Sequence, residues 1–213
     1  MREDEVNAMA KKGVDLRRYD RIAGIYDVFE SPMEMMNFRK WRSILFSHLP
    51  ANRDSLVLEV GVGTGKNIPY YPESRIVAID ISKKMIGKAK KRAESLGKKP
   101  DLIVADAESL PFKDKVFDIA FATFVFCSVE NPVKGLEEVK RVLKDNGKAF
   151  FMEHMLPASR VARTFFHLLN PITRLFGPEI NRRTDENIVN AGFKIVDQKY
   201  LLGTVFRLVV SEK

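Results

Sequence analysis

An apolar strand pattern running directly into glycines on a two-residue repeat limits this chain more than any other feature. Leu56, Val57, Leu58, Glu59 and Val60 lead to Gly61, Gly63 and Gly65. Glycines after a buried strand let the backbone turn sharply and approach a ligand closely. A second apolar run, 76–79, ends in Asp80, and a third, 102–104, leads to Ala105, Asp106, Ala107 and Glu108. In a parallel sheet such tips meet at one edge. An acid about 20 positions past the first strand is then placed to hold ribose hydroxyls, so the spacing points to a nucleoside-bearing ligand.

Two phosphate-binding patterns fail at defined positions. The dinucleotide fingerprint GxGxxG requires glycine where Lys66 stands, which disfavours a nicotinamide-linked oxidoreductase. The phosphate-cradling GxxxxGK[ST] loop needs one more residue before its lysine and a hydroxyl after it, where this chain has Asn67. Three histidines and the single Cys127 show no ligand spacing, so no metal site is expected.

From residue 56 onward strand and helix patterns alternate, which implies a parallel sheet covered on both faces. Strands are expected at 56–60, 76–79, 102–104, 117–122 and 149–152. A helix capped by Ser82 and closed by Gly97 carries Met85, Ile86, Ala89, Ala93 and Leu96 on its packed side. Another starts at Asn131 and Pro132, turns Val133, Leu136, Val139 and Leu143 inward, and ends at Gly147. A last helix is expected near 185–191, with Thr184 or Asn181 as its cap. The runs 194–201 and 205–211 read as an antiparallel pair.

With 213 residues and 45% hydrophobic content, one domain with one sizeable core is expected. It divides into an N-terminal lid at 1–50, a core at 51–156, an insert at 157–184 and a C-terminal helix and strand pair at 185–213. A charged N-terminus without an apolar core predicts no signal peptide, and one cysteine fits a reducing compartment. Residues 81–100 hold eight Lys or Arg against one Glu and so carry nearly all of the net +8. That run is either a solvated helix face or an attraction to an anionic surface. The lack of interleaved aromatics speaks against nucleic acid.

The ExGxGxG stretch at Glu59, with Asp80 and Asp106 at the next two strand tips, resembles the class I S-adenosylmethionine-dependent methyltransferases. Tyr19, Asp20, Tyr26 and Asp27, then 106–112, 124–129 and 138–143, make the resemblance closest to one branch. That branch holds the ubiquinone and menaquinone C-methyltransferases, the soluble bacterial phosphatidylethanolamine N-methyltransferases and the alkyl thiol methyltransferases. The resemblance covers 19–154 and implies an α/β fold: a Rossmann-like, seven-stranded, mostly parallel sheet with helices on both faces. Its last strand is antiparallel and lies between the fifth and sixth. An N-terminal helical lid and an insert after strand five complete it.

It also implies S-adenosyl-L-methionine as cofactor, held by Tyr19, Glu59, Gly61, Gly63, Gly65, Asp80, Ile81, Met85, Asp106, Ala107, Glu108, Thr123 and Phe124. Tyr26, which sits over the cofactor in this branch, and His154 are the candidate catalytic residues; His154 serves equally well as a hydrogen-bonding group of a strand-end turn. Arg182 and Asn181 are candidate substrate contacts, a guanidinium being suited to a lipid phosphate.

The segment 160–176 combines Val161, Phe165, Phe166, Leu168 and Leu169 with Arg160, Arg163 and Arg174 and no acid. That composition suits either packing of a lid or a membrane interface. The expected activity is methylation of an apolar or lipid acceptor, foremost phosphatidylethanolamine nitrogen at a membrane surface. C-methylation of a quinone precursor, S-methylation of a small thiol, and a non-catalytic cofactor-binding interaction module are the alternatives. The expected protein is a monomer or weak oligomer, cytoplasmic and able to sit peripherally at the inner face of the membrane.

Overall fold

The computed structural model describes residues 37–175 and 179–213. Tyr19 and Tyr26, with the rest of 1–36, lie outside the described residues. Seven strands form one sheet: β1 Leu56–Val60, β2 Arg75–Asp80, β3 Asp101–Val104, β4 Phe117–Thr123, β5 Leu143–His154, β6 Lys194–Leu202 and β7 Phe206–Glu212. Their order is β3-β2-β1-β4-β5-β7-β6. The first five pair in parallel, and β7 is antiparallel to both β5 and β6. This is the expected mostly parallel sheet with its last strand between the fifth and sixth.

Strands covered on both faces send alternate side chains into two cores. Val57, Ile76, Ala78, Ile119, Phe121, Phe150, Met152 and Leu208 face α1 Arg39–His48 and α2 Lys83–Ser95. Leu58, Val60, Val77, Ile79, Ala120, Phe151 and Val209 face α3 Pro132–Val142 and α5 Thr184–Asn190, where Leu136, Val139 and Ile188 meet them. Asp118, the polar residue inside β4, has a local cause. Its Oδ2 accepts the Leu56 N–H at 2.9 Å and its Oδ1 pairs with Lys144 Nζ at 2.6 Å, which fixes where β1 begins. Between β5 and α5 the chain forms α4 Arg160–Leu175.

Helix ends follow the capping chemistry read from the sequence in two cases. Ser82 Oγ accepts the Met85 N–H at 3.2 Å, and Asn131 Oδ1 accepts that of Lys134 at 3.2 Å. Three expectations are corrected. Leu96 is 45% exposed, because it follows the last helical residue of α2 and leaves the apolar stripe formed by Met85, Ala89 and Ala93. Neither Thr184 nor Asn181 caps α5: Arg183 holds the cap position without a side-chain bond to the backbone N–H groups of the first turn, and Thr184 Oγ1 donates instead to the His154 carbonyl at 3.3 Å. Gly147 does not end α3. The helix stops at Val142 and the chain enters β5 at once, with Gly147 at the irregular pairing between Phe117 and Ile119.

Gly147 has a packing reason to lack a side chain. A Cβ there would stand 2.9 Å from the Lys144 carbonyl oxygen, 3.2 Å from that of Asp118 and 3.1 Å from Leu143 Cδ2. Backbone atoms on two sides leave no cheap relaxation. Gly147→Ala is expected to destabilise the fold by about 1–3 kcal/mol, the usual range for overpacking. Urea unfolding midpoints of parent and variant check it, and an unchanged midpoint would show that the irregular strand start yields freely.

Candidate active site

The C-terminal tips of β1, β2, β3 and β4 converge on one cavity, the place where open parallel sheets bind ligands. The glycine turn after β1 is left-handed at Gly61, Gly63 and Gly65, with φ of 72°, 53° and 82°. It is tied down by the Val62 N–H, which donates to the Ile79 carbonyl at 2.8 Å. Asp80 then joins this turn to the next helix: its Oδ2 accepts the Gly63 N–H at 2.9 Å, and its Oδ1 accepts the Ser82 N–H at 2.9 Å. Two of these glycines do different work. A Cβ on Gly65 would lie 2.6 Å from Ile68 Cδ1 and 3.1 Å from Ala89 Cα, whereas one on Gly63 would meet nothing within 4 Å. Gly65 permits close packing of turn on helix, and Gly63 keeps space clear.

Ten of the residues expected to hold the cofactor line this cavity together: Gly61, Gly63, Asp80, Ile81, Met85, Asp106, Ala107, Glu108, Thr123 and Phe124. Asp106 Oδ1 accepts the Glu108 N–H at 2.9 Å, and buried Glu108 accepts the Asn131 N–H at 2.8 Å, so the β3 tip also anchors the start of α3. Phe124 is in the left-handed region, φ 58°, uncommon for a bulky residue and found where a site holds it there. The wall formed by Val125, Ser128, Val129 and Glu130 has no role in the sequence reading, which treats 124–129 only as part of a resemblance. Its one signal is the clustering of apolar residues after a strand tip.

Gly65 and Glu59 are not among the lining residues. Glu59 is fully buried under α1, where it accepts hydrogen bonds from Asn67 Nδ2 at 2.6 Å and from the Tyr71 hydroxyl. Asn67 in turn donates to Thr123 Oγ1 at 2.9 Å and accepts from Arg42 Nε at 2.9 Å. Burial pushes the Glu59 carboxyl up to about 7 against the pull of Tyr71, Asn67 and Arg42.

The remaining candidates occupy other positions. His154 stacks on Phe166 at 5.4 Å and meets Phe206 edge-on at 5.2 Å; it does not line the cavity, and burial lowers its imidazole to about 4. Asn181 Nδ2 lies 3.2 Å from His167 Nδ1 on α4. Arg182 is mostly buried, donating to the Phe126 carbonyl at 3.0 Å, to the Val129 carbonyl, and to Glu179 at 3.0 Å. It braces the cavity wall from behind rather than offering its fork to a phosphate.

Glu153, the residue before His154 and one to which the sequence analysis assigns no role, supports the same wall. Its buried Oε1 accepts the Val125 N–H at 2.8 Å and the Phe126 N–H at 3.0 Å. An aromatic path runs outward from here. Phe124 stacks on Phe38 at 4.7 Å and meets Phe206 at 5.9 Å, Phe206 meets His154, and His154 meets Phe166 of α4.

A family model described as a methyltransferase domain matches residues 58–151. The demethylmenaquinone methyltransferase of Renibacterium salmoninarum is 33% identical over 167 residues, which are 78% of this chain and 65% of that protein. The chain thus spans less than two thirds of that relative's length. The ubiquinone/menaquinone biosynthesis C-methyltransferase of Citrifermentans bemidjiense is 32% identical, with 75% of this chain and 72% of its own length covered. The phosphatidylethanolamine N-methyltransferase of Cereibacter sphaeroides is 35% identical, with 65% and 66% covered. A solved methyltransferase from Aquifex aeolicus superposes with a TM-score of 0.62 over 80% of this chain and 88% of its own; at 20% identity this is a likeness of fold.

The wall carries a pH signature. Burial raises the Glu153 carboxyl to about 7, against the pull of its backbone donors and Arg182. The folded state therefore keeps a proton that the unfolded chain releases near pH 4.5. That contribution to stability is fully present below pH 4.5 and is lost as pH rises through about 7. Glu59 acts in the same sense and His154 in the opposite one, so the difference between variants isolates Glu153. Glu153→Gln, a neutral isostere, is expected to gain roughly 3 kcal/mol on the parent between pH 4.5 and 7. Parallel stability curves across that window in a pH series of denaturant titrations would show that Glu153 is ionised throughout.

Proposed function

This chain belongs to the S-adenosylmethionine-dependent methyltransferases, and from that membership we propose that it transfers a methyl group from S-adenosylmethionine to an apolar acceptor, with a quinone precursor as the acceptor class. The observation that carries the reading is the Asp80 cradle. Its carboxylate is oriented by the Gly63 and Ser82 N–H groups, beside the open space that Gly63 maintains. A carboxylate fixed in this way is pre-organised to accept two ribose hydroxyls. Asp106 would take the adenine amine, with Ile81 and Met85 as apolar sides of the base site and Gly61 and Gly63 under the amino-acid end.

S-adenosylmethionine, when bound, supplies a methyl group already activated on a sulfonium. The protein's task is then alignment and exclusion of water. Glu59 serves the glycine turn from behind through Asn67 and Tyr71. Phe124, the aromatic side chain of the cavity wall, begins the apolar path through Phe38 and Phe206 along which a flat acceptor would lie. His154 is neutral at pH 7 and shielded by Phe166 and Phe206, so it is assigned to packing and not to proton transfer.

Between the two lipid-type acceptors, two points favour the quinone precursor over the phosphatidylethanolamine that the sequence put first. Relatives named for quinone methylation recur among the matches, and Arg182, the candidate phosphate contact, is engaged with two backbone carbonyls and Glu179. The phosphatidylethanolamine reading stands second on the strength of the similar N-methyltransferase.

Asp80→Ala is expected to weaken S-adenosylmethionine binding by about 1–3 kcal/mol, the scale of lost hydrogen bonds to a charged group. Calorimetric titration checks this, and unchanged affinity removes Asp80 from the ribose. For the acceptor, methyl-labelled S-adenosylmethionine is incubated with reduced demethylated quinones and, separately, with phosphatidylethanolamine liposomes, followed by organic extraction. Label in the quinone fraction is expected. Label in phospholipid alone would reverse the order of the two readings, and label in neither, with cofactor bound, would reject both.

A further inference from the structure

The outward face of α4 carries apolar side chains that the methyl-transfer reading does not use. Val161, Phe165 and Leu168 are 82%, 58% and 72% exposed. Their spacing of four and three residues puts them on one stripe of the helix. Exposed apolar side chains scattered singly need no explanation, but three along one stripe mark a contact surface. The helix's 16 residues include Arg160, Arg163 and Arg174 and no acid. On the inner side Phe166 stacks on His154, the outer end of the aromatic path that reaches Phe124 in the cavity wall. Among the described residues no helix is long and apolar enough to cross a membrane.

We infer that α4 lies in the interface of an anionic lipid bilayer, with Val161, Phe165 and Leu168 among the acyl chains and the exposed Arg160 at the headgroups, whereas Arg163 is turned to the Pro157 carbonyl at 2.8 Å. Two features select this occupant. A helix with cations and no acid complements a negatively charged surface. An apolar stripe whose helix packs through Phe166 on an aromatic cluster reaching the cavity wall suits a surface that also stores apolar molecules. The use of that path by an acceptor rests on the proposed function; the docking does not.

The test uses the full chain and flotation with vesicles, without cofactor or acceptor, so failure of docking and failure of methyl transfer are read separately. Vesicles are either phosphatidylcholine alone or phosphatidylcholine with phosphatidylglycerol. The parent should float with the anionic vesicles at least about ten-fold more strongly than with the neutral ones, and less so in high salt. The triple variant Val161→Ser, Phe165→Ser, Leu168→Ser should lose that binding while keeping its melting temperature and S-adenosylmethionine affinity, since none of the three lines the cavity. As an independent reading, Phe165→Trp should be quenched by brominated acyl chains. A parent that stays unbound, as when another part of the chain or a second copy covers the face, overturns the inference. So does a triple variant that binds like the parent, which would move the contact elsewhere, for instance to the lysines of α2. Absence of bromolipid quenching in a vesicle-bound Phe165→Trp protein overturns it too.

Discussion

The glycine turn can hold its shape because one buried carboxylate ties together the segments around it. Glu59 sits inside the sheet's α1 face with hydrogen bonds from Asn67 and Tyr71. Asn67 extends the network to Arg42 on α1 and Thr123 at the end of β4. Removing such a group from water costs several kcal/mol, which is offset only when its oxygens are well bonded. A partial arrangement would leave a buried acid without compensation. The network therefore forms as a whole or not at all, and with it the position of the turn, of α1 and of the β4 tip.

The same device recurs along the ligand edge in a lateral pattern. Asp80, at the end of β2, accepts the N–H of Gly63 in the turn after β1. Glu108, past β3, accepts the N–H of Asn131 before α3. Glu153, near the end of β5, accepts the N–H groups of Val125 and Phe126 after β4. Each acid is attached to one segment and holds the backbone of another, so the cavity wall is stitched across the sheet and does not depend on local turn propensity. Arg182 adds a cationic brace on the far side by binding carbonyls of the Glu153-supported loop. A carboxyl oxygen that accepts backbone N–H groups anchors the segment it reaches, and the bond strengthens when the acid is ionised.

The sheet was legible because its signals are local. Apolar runs of two-face strands place β1 to β4 to within a residue, and glycines and acids at fixed intervals point to Gly61, Gly63, Asp80, Asp106 and Glu108 of the cavity lining, whereas Ile81, Met85, Thr123 and Phe124 follow only from the family resemblance. What escaped depends on tertiary context. Gly147 reads as a helix stop, yet its neighbours across the chain, Asp118 and Leu143, make it a strand residue at an irregular pairing. His154 has the side chain most often used for proton transfer, but nothing in the sequence reveals that Phe166, twelve residues away, and Phe206, fifty-two away, enclose it. Arg182 and Glu153 carry charge that suggests chemistry, and only the fold shows both turned on backbone groups of the same loop.

The placement of β7 bears on how the chain reaches this fold as it is made. Residues 206–212 come last among the strands in sequence yet lie inside the sheet, between β5 and β6. Until they leave the ribosome, the free edge of β5 has no partner and β6 has no sheet to join. A nascent chain ending anywhere before residue 206 therefore carries a long exposed edge, the kind of surface on which chaperones act and intermolecular pairing begins. Completion of the sheet waits on the slow search for long-range strand partners.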